Sequence, residues 1–344
     1  MLIMHQSRFI LSAILLLFLP FRQGGARERQ DGITLLWWNV ENLFDTRDDP
    51  NTEDDEFTPA GRMHWTEKRL QLKQVRIGAV LKGIRLSPRY RGYPDLVAFA
   101  ESENRQVFAG TIAAAGLGSW RVAYHESRDP RGIDIGLAWN PATLGFTGSK
   151  AYRVSLPDGH RTRDVIVAGF SVSSRRFSVV LNHWPSRSFG TEWSEPKRLA
   201  AARVARHVVD SLRTADAKAR IVVMGDFNDE PENRSLQEAM GSSFDRKAVR
   251  ALPGKLLYNC WNDVATGGSY AYRGEWERID QLLVSAALLE NRGLRLAPKG
   301  FGTFSFPHMF VEPGRRLYPT FEKGRYVGGY SDHLPVLLRM TVDP

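Results

Sequence analysis

The sequence predicts an α/β protein, and three observations support this class. Short apolar runs of strand length alternate with longer segments that have helical periodicity. Several of the apolar runs are rich in Val, Ile and Leu on both faces, which indicates strands that are covered on two sides. The composition, with 42% hydrophobic and 25% charged residues, is that of a globular chain able to bury a sizeable core.

The expected strands are short apolar runs bounded by polar or turn-forming residues. They are Ile33 to Trp38, Leu96 to Ala100, Ile135 to Trp139, Val165 to Phe170, Phe177 to Leu181, Ile221 to Met224, Ile279 to Val284 and Leu334 to Met340. Helical spacing of apolar residues predicts helices over Thr66 to Ile84 and over Pro196 to Leu212. Pro196 suits the start of the second helix.

The first 26 residues read as a signal peptide, which leaves residues 27–344 as a single domain without internal repeats. Arg8 precedes an apolar run from Phe9 to Phe21, and small residues follow up to Ala26. This run is shorter than the roughly 20 residues that span a bilayer, and no later segment reaches that length. The alternative is an uncleaved membrane anchor. We expect a secreted or periplasmic protein.

Charge and cysteine content narrow the chemistry. The formal net charge is +9 and the pI is about 9.7, which favours anionic partners such as nucleic acid, phospholipid headgroups or phosphorylated metabolites. Cys260 is the lone cysteine, so an intrachain disulfide and a cysteine-based zinc cluster are excluded. A bound metal would need oxygen and histidine ligands.

Polar side chains fall repeatedly at the ends or starts of the expected strands. Four strands end at such residues and two begin at them: Asn39, Glu101, Asn182-His183, Asp226, Asp280 and Asp332-His333. In a mixed sheet the start of an antiparallel strand lies beside the ends of its neighbours, so these positions can converge on one rim. Each alone also fits a polar turn, but together they predict a cleft rich in carboxylate and histidine side chains.

The polar residues near the first two strands carry hard oxygen donors. Glu101 with Asn39 and Glu41 suits Mg²⁺ or Mn²⁺ better than a soft metal. Asp226 and Asn228, two residues apart, can hold and deprotonate an attacking water. Such a site would polarise a phosphoryl oxygen and stabilise the charge that builds during displacement.

The two histidines supply hydrogen-bond donors for phosphate oxygens. A carboxylate such as Asp280 would orient the imidazole of His333 and favour its protonated form, and His183 can contact the same phosphate. Phosphoester hydrolysis fits this inventory without a covalent intermediate. The sequence contains no Gly-x-Ser-x-Gly elbow, no Walker loop and no Gly-x-Gly-x-x-Gly stretch, which disfavours serine-hydrolase and nucleotide-cofactor functions.

The ordered series of motifs resembles that of the endonuclease/exonuclease/phosphatase family, which includes DNase I and the apurinic endonucleases. The matching segments are Trp38-Asn39-Val40-Glu41-Asn42, Glu101 after Asp95-Leu96-Val97, Asn182-His183, Gly225-Asp226-Phe227-Asn228, Arg278-Ile279-Asp280 and Ser331-Asp332-His333. The resemblance implies a four-layered α/β sandwich, with two mixed sheets packed face to face and helices outside. It also implies Mg²⁺-dependent hydrolysis of a phosphodiester or phosphomonoester.

The resemblance also implies roles for individual residues. Glu101 would bind the metal with help from Asn39 and Glu41, and Asp332 would assist the metal or the water. Asp226 and Asn228 would position the water and the substrate. His333, paired with Asp280, would contact the scissile phosphate. His183 matches a histidine of the DNase I-like branch that has an acid-base or phosphate-binding role. Whether His183 or Asp226 takes the first proton stays open.

Other segments add candidate contacts. Asn182, Arg187 and Arg131 are candidate substrate or phosphate ligands, although a surface arginine is the simpler interpretation of Arg131. The stretch from Asp45 to Glu56 holds seven acidic residues and reads as a solvated loop, with structural Ca²⁺ as the alternative. The long connection from Leu294 to Tyr330 interleaves aromatic and basic residues, which either stack substrate bases or pack down the connection itself.

Three functions compete at this stage. The first is a Mg²⁺-dependent nuclease that cleaves nucleic-acid phosphodiester bonds, endo or exo. The second is a phosphatase or phosphodiesterase for a lipid headgroup or small phosphoester, which the same metal site would serve. The third is a catalytically silent binding module, which the filled set of polar positions disfavours. The protein is expected to act as a monomer.

Overall fold

The computed structural model describes residues 32–188, 190–312 and 316–343, all of which belong to one compact unit. The predicted signal peptide, residues 1–26, lies outside the described residues and stays a prediction. Within the described part of the chain, no helix combines the length and the apolar character that crossing a bilayer requires.

Most of the secondary structure is β. The strands are β1 (Gly32–Leu43), β2 (Leu96–Ser102), β3 (Arg121–Tyr124), β4 (Asp134–Trp139), β5 (Gly145–Tyr152), β6 (Val165–Val172), β7 (Arg175–His183), β8 (Ile221–Asp226), β9 (Ser242–Ser243), β10 (Leu257–Asn259), β11 (Tyr270–Tyr272), β12 (Glu275–Glu277), β13 (Asp280–Val284), β14 (Leu294–Thr303), β15 (Phe310–Glu312), β16 (Arg316–Leu317), β17 (Phe321–Glu322), β18 (Arg325–Tyr326) and β19 (Val336–Val342). The α-helices are α1 (Glu67–Leu86), α2 (Arg105–Ile112), α3 (Thr191–Ala215) and α4 (Arg246–Ala251).

Two large mixed sheets organise these strands. The first sheet has the order β14-β19-β1-β2-β4-β3, and the second has the order β5-β6-β7-β8-β13-β10-β9. Strands β1 and β2 run parallel, as do β7 and β8, whereas β19 and β13 run antiparallel to β1 and β8 respectively. The starts of β13 and β19 therefore lie beside the ends of β8 and β1, as the strand-end argument requires.

Alternating side chains on β1 define the layers. Leu35 and Trp37 point into a core shared by both sheets, whereas Leu36 and Trp38 point to the opposite face and pack with helix α1. On the outer face of the second sheet, Val223 packs with α3. The order of layers is thus helices, first sheet, second sheet and helix α3, and the predicted four-layered α/β sandwich is confirmed.

All eight predicted strands are present, most of them longer than predicted. The predicted start of the second helix is wrong by five residues, because α3 begins at Thr191 and Pro196 lies within it. The buried Arg198 side chain accounts for the earlier start. It donates to the Thr191 carbonyl over 2.8 Å and to Ser194 Oγ over 2.7 Å, which stabilises the first turn. Pro196 removes one backbone hydrogen bond and crowds the carbonyl of the preceding turn, and the hydrogen bonds of Arg198 help to offset these costs.

The segment from Leu294 to Tyr330 is not simply a long connection. Its first ten residues form β14, an edge strand paired with β19, and a register shift near Lys299, where φ is 51°, interrupts the apolar pattern. The rest folds into two small hairpins, β15–β16 and β17–β18. Rings of this part pack on α1 and the first sheet, and the Arg76 guanidinium lies 4.9 Å from the Tyr330 ring centre. None of its described aromatic residues lines the main cleft.

A buried polar cluster fixes this segment to the first sheet just before Asp332-His333. The Glu41 carboxylate accepts hydrogen bonds from the backbone N–H groups of Thr320 and Phe321. From α1, the buried Lys73 ammonium donates to Thr320 Oγ1 and, over 2.9 Å, to the Tyr330 carbonyl. Burial raises the pKa of Glu41 and lowers the pKa of Lys73, and the charge of each opposes the shift of the other. We call these three residues, Glu41, Lys73 and Thr320, the segment clamp.

Replacing Lys73 by Met should destabilise the protein by about 3 kcal/mol, because the change leaves two buried oxygen acceptors without their donor and removes the positive charge near the buried Glu41 carboxylate. Urea unfolding measures this. The double variant Glu41→Gln/Lys73→Met should lose clearly less than the sum of the two single losses, since both act on one cluster.

The exposed Lys68 on the same helix is the matched control. Lys68→Met should change the free energy of unfolding by less than about 0.5 kcal/mol. Strictly additive losses at Glu41 and Lys73 would show that the two side chains do not act together.

Candidate active site

Three side chains of the site occupy one register row of the second sheet. His183 at the end of β7 pairs with Asp226 at the end of β8, and Asp226 pairs with Asp280 at the start of β13. Asn39 and Glu101 lie at the corresponding ends of β1 and β2 in the first sheet. Because the two sheets pack face to face, these ends meet along one edge of the sandwich.

The Asn39 amide bridges two carboxylates from different sheets. Its Nδ2 donates to Glu101 Oε1 and to Asp226 Oδ2, each over 3.1 Å. Glu101, held in a left-handed conformation with φ of 63°, also accepts the Asn42 N–H through Oε2 over 2.9 Å. The Glu101 and Asp226 carboxylates are thereby fixed side by side.

His333 and Asp280 form a short, buried hydrogen bond. His333 Nδ1 lies 2.6 Å from Asp280 Oδ2, and the other carboxylate oxygen accepts the Trp37 indole N–H over 2.9 Å. Burial opposes protonation of this imidazole, yet the charges of Asp280 and Asp332 hold the pKa of His333 well above 6.5. A protonated His333 donates from both ring nitrogens, and its Nε2 lies 3.9 Å from Asp226 Oδ2 and 4.0 Å from Asp332 Oδ1.

His183 has the opposite character. Burial, with the charges of Arg163, Arg131 and His333, holds the pKa of His183 well below 6.5, so this imidazole is neutral. Its Nε2 lies 3.7 Å from Glu101 Oε1 and 3.8 Å from Asp226 Oδ2, and its buried Nδ1 has no hydrogen-bond partner within the described part of the chain. The site therefore contains one cationic and one neutral imidazole, a pairing that separates proton donor from proton acceptor.

Asp226 lies between the two imidazoles. Its Oδ1 accepts the Asn228 N–H over 2.9 Å, and the Asn228 side chain, in a left-handed residue with φ of 50°, donates to the Trp184 carbonyl over 3.1 Å. Burial raises the pKa of Asp226 to about 7, Asp280 adds to this rise, and His333 opposes it. The strained turn thus directs a carboxylate and an amide toward the same space.

The donor chemistry fits a hard divalent cation. Glu101, Asp226 and Asp332 bring three carboxylates to the cleft, and among the described residues no Lys or Arg forms an ion pair with any of them. Crowded carboxylates whose nearest cation is the single imidazole of His333 favour binding of a hard divalent cation. Asp226, Asp280 and His333 also lie close enough to share an ion, but the hydrogen bond between Asp280 and His333 already uses their facing atoms. Glu101 with Asp332, beside Asp226, is therefore the better ligand set.

Two predicted metal ligands need correction. Both oxygens of Glu41 accept backbone N–H groups in the segment clamp, and Glu41 does not line the cleft. Asn39 does line it, but its Oδ1 accepts the Glu41 N–H over 3.0 Å while its Nδ2 faces the acidic pair. In this arrangement Asn39 positions Glu101 and Asp226 and offers them a donor instead of offering a metal an oxygen.

Asn182, a predicted phosphate ligand, is also used elsewhere. Its Nδ2 donates to the Val180 carbonyl over 3.1 Å, and its Oδ1 accepts the Trp184 indole N–H over 3.1 Å. The fully buried side chain lies outside the cleft lining, because alternation on β7 turns it away from His183. Asn182 therefore holds Trp184 in place.

The cleft extends well beyond these groups, with a volume of about 1110 Å³. The predicted arginines line it as expected, but both are ion-paired: Arg187 with Glu277, and Arg131 with Asp129 over 3.3 Å. The side chain of Arg131 remains 47% exposed, so it can still reach an anion.

Sequence reasoning missed three contributors to the site. Arg163 lines the cleft, bonded to Asp129 over 2.9 Å and to the Trp184 carbonyl over 2.7 Å, yet no motif marks it. The Tyr270 ring lies 4.8 Å from the His333 ring. Ser331 Oγ donates to the Asn39 carbonyl over 2.7 Å and accepts the His333 N–H over 3.0 Å. Ser331 belongs to the matching segment Ser331-Asp332-His333, and its position next to Asp332 is the sequence feature that indicates a role in the site.

The acidic loop from Asp45 to Glu56 satisfies its buried carboxylates internally. Buried Asp54 accepts the Asp49 N–H over 3.1 Å, and Glu103 from the neighbouring strand end accepts the Asp45 N–H over 2.5 Å. Burial raises the pKa of Glu103 to about 8, which favours its neutral form. These contacts favour the solvated-loop interpretation over a Ca²⁺ site.

Comparison with solved structures places this architecture among known folds. The mannosyl-6-phosphatase of Bacteroides thetaiotaomicron is 14% identical, with a TM-score of 0.56 over 90% of this chain and 99% of that chain. The human Nocturnin catalytic domain is 16% identical, with a TM-score of 0.55 over 91% and 95%. A D. rerio TDP2 complexed with single-strand DNA product is 14% identical, with a TM-score of 0.53 over 90% and 99%.

Sequence comparison identifies the family. No curated protein shows significant sequence similarity to the chain. A family model described as Endonuclease/Exonuclease/phosphatase family matches residues 34–342, nearly the whole described chain. The resemblance drawn from the motifs is thereby confirmed. The chain belongs to the endonuclease/exonuclease/phosphatase family and is a phosphoester hydrolase of that family, whose enzymes typically depend on a divalent metal.

Proposed function

We propose that this protein is a Mg²⁺-dependent nuclease that hydrolyses phosphodiester bonds of nucleic acid. The observation that carries this proposal is the meeting of a cationic imidazole, a neutral imidazole and three carboxylates at one point of a long cleft. A bound divalent cation would be held by Glu101 with Asp332, which leaves Asp226 for the water, and would supply stabilisation of the charge that develops on the phosphoryl oxygens.

Side chains of the protein activate the water and contact the phosphate. Asp226 and Asn228 hold the attacking water, and Asp226 accepts its proton. His333, kept protonated by Asp280, donates a hydrogen bond from Nε2 to a non-bridging phosphate oxygen. Neutral His183 contacts the same phosphate from the opposite side of Asp226. Asn39 donates hydrogen bonds to both Glu101 and Asp226 and so holds the two carboxylates side by side.

The size and charge of the cleft support nucleic acid as the substrate. Small-molecule sites commonly measure about 300–1,000 Å³, and the volume of about 1110 Å³ exceeds that range. Arg131, Arg163 and Arg187 line the same cleft as the imidazoles, and the half-exposed Arg131 is the one best placed to contact a neighbouring phosphate of a chain. A small phosphoester would leave most of this cleft unused.

Chelation and removal of the Asp226 charge should both abolish cleavage. We expect EDTA and Asp226→Asn each to lower the rate on plasmid and single-stranded DNA by at least about 100-fold, and excess Mg²⁺ to restore only the chelated wild type. Asp210→Asn, on the outer surface of α3, is the control and should retain full activity.

A panel of small phosphoesters in the same assay separates the competing functions. Cleavage of small esters alone would refute the nuclease proposal in favour of a phosphatase or small-molecule phosphodiesterase. Absence of any turnover with varied metals would instead indicate a binding module.

Asp280→Asn should lower kcat by about 10²- to 10⁴-fold, because an amide cannot hold His333 protonated. Trp37→Phe removes only one hydrogen bond to the same carboxylate and should cost about tenfold or less. Steady-state kinetics on one oligonucleotide measures both. Equal rates for Asp280→Asn and the wild type would show that His333 acts without its carboxylate partner.

We further propose that the protein acts outside the cytoplasm, on the strength of the apolar run from Phe9 to Phe21 and the small residues that follow it. Expression of the complete chain, followed by fractionation and N-terminal sequencing, tests this. Recovery of a form beginning at Arg27 outside the cytoplasm is expected, and recovery of the uncleaved chain from the cytoplasm would refute it.

A further inference from the structure

A large aromatic side chain is exposed at the edge of the cleft, ten residues after His183. Trp193, in the first turn of α3, keeps 60% of its surface exposed although the indole is costly to hydrate. One turn later on the same helix, the Lys197 ammonium lies 4.7 Å from the centre of the indole ring. Both side chains line the cleft that contains His183 and Asp226.

A buried ion pair fixes Trp193 relative to the catalytic turn. Arg198 is fully buried and donates to the Thr191 carbonyl and to Ser194 Oγ, on either side of Trp193 in the sequence. Its Nε lies 2.6 Å from Asp229 Oδ1, and Asp229 follows Asp226 by three residues. The first turn of α3, which carries the indole, is therefore anchored to the turn that follows Asp226.

The neighbouring wall of the cleft is cationic and also fixed. Asp158 binds the Lys197 ammonium over 2.6 Å and the His160 imidazole over 2.8 Å, which ties the β5–β6 connection to α3. Arg161, in the same connection, lines the cleft, is exposed and forms no ion pair with any described residue. An aromatic surface thus lies in the same cleft as the exposed Arg161 guanidinium and beside the ion-paired Lys197 ammonium.

We propose that Trp193 is a stacking platform for an unpaired nucleobase next to the scissile phosphate, with Arg161 and Lys197 contacting the adjoining phosphate. This inference rests on the proposed nuclease function and makes it specific: the preferred substrate is single-stranded. In a duplex each base is already stacked and paired, so its face is not available to the indole. In a single strand the face is free, and the stacking is tolerant of base identity.

The test compares Trp193→Ala with the wild type on three substrates: a single-stranded oligonucleotide, the duplex of the same sequence, and glycerophosphocholine, a small phosphodiester without an aromatic ring. We expect KM for the single strand to rise about tenfold or more. Activity on the small ester should stay within about twofold of the wild type, because that substrate carries no nucleobase at this position. Trp193→Phe should restore most of the loss.

Lys150→Ala is the matched control, because Lys150 lies at the same 4.7 Å from the ring centre of Tyr152 but outside the cleft. This variant should leave all three activities unchanged.

Single strands carrying one abasic position provide a second measurement. Placing the abasic position at successive sites should lower wild-type kcat/KM at one site next to the cleaved bond, and at that site Trp193→Ala should cause no additional loss. An unchanged KM for Trp193→Ala on an otherwise active nuclease would overturn the stacking platform alone. Wild-type protein that cleaves small esters but no nucleic acid would overturn the proposed function as well.

Discussion

The hydrogen bond between His333 and Asp280 joins the two sheets at the edge where the site lies. Asp280 belongs to the second sheet, whereas the indole donor Trp37 belongs to the first sheet and His333 lies three residues before β19 of that sheet. A fully buried carboxylate is tolerated only where its charge is compensated, so the two sheets must meet in this one arrangement for Asp280 to be satisfied. The same contact keeps His333 protonated. The packing of the two sheets and the protonation of a site histidine therefore depend on one hydrogen bond.

Two imidazoles in one site behave differently because their neighbours differ. His333 is hydrogen-bonded to Asp280 and feels the charge of Asp332. His183 has Glu101 and Asp226 at 3.7 and 3.8 Å, but it also feels the positive charges of Arg163, Arg131 and His333. Desolvation acts on both rings in the same direction, and the sign of the surrounding charge decides the outcome. Asp129 contributes indirectly, since it holds both arginines in place. The cationic state of one imidazole and the neutral state of the other thus depend on the charged residues around them.

Much of the architecture could be predicted because it depends on local pattern. Apolar runs located the central strands, and polar residues at their ends located Asp226 and Asp280. The use of Glu41 could not be predicted, because its partner Thr320 lies 279 positions away and only the folded chain brings them together. The role of Arg163 could not be predicted either, because Arg163 belongs to no motif and only the folded chain brings it to Asp129 and Trp184. The start of α3 was misplaced because the preference of proline for a first turn is weak beside the hydrogen bonds of buried Arg198.

The segment clamp also separates the hairpin β17–β18 from the catalytic edge. Every polar group of Thr320 is bonded, with its carbonyl accepting the N–H groups of Val327 and Gly328, so the base of this hairpin is anchored independently of its tip. The tip residues Lys323 and Gly324 are exposed and both have positive φ, as in a tight hairpin turn. Exposed turns of this kind accept inserted sequence. A peptide tag or a reporter domain introduced between Lys323 and Gly324 would project away from the anchored base, and the enzyme could be immobilised or labelled there without disturbing its rim.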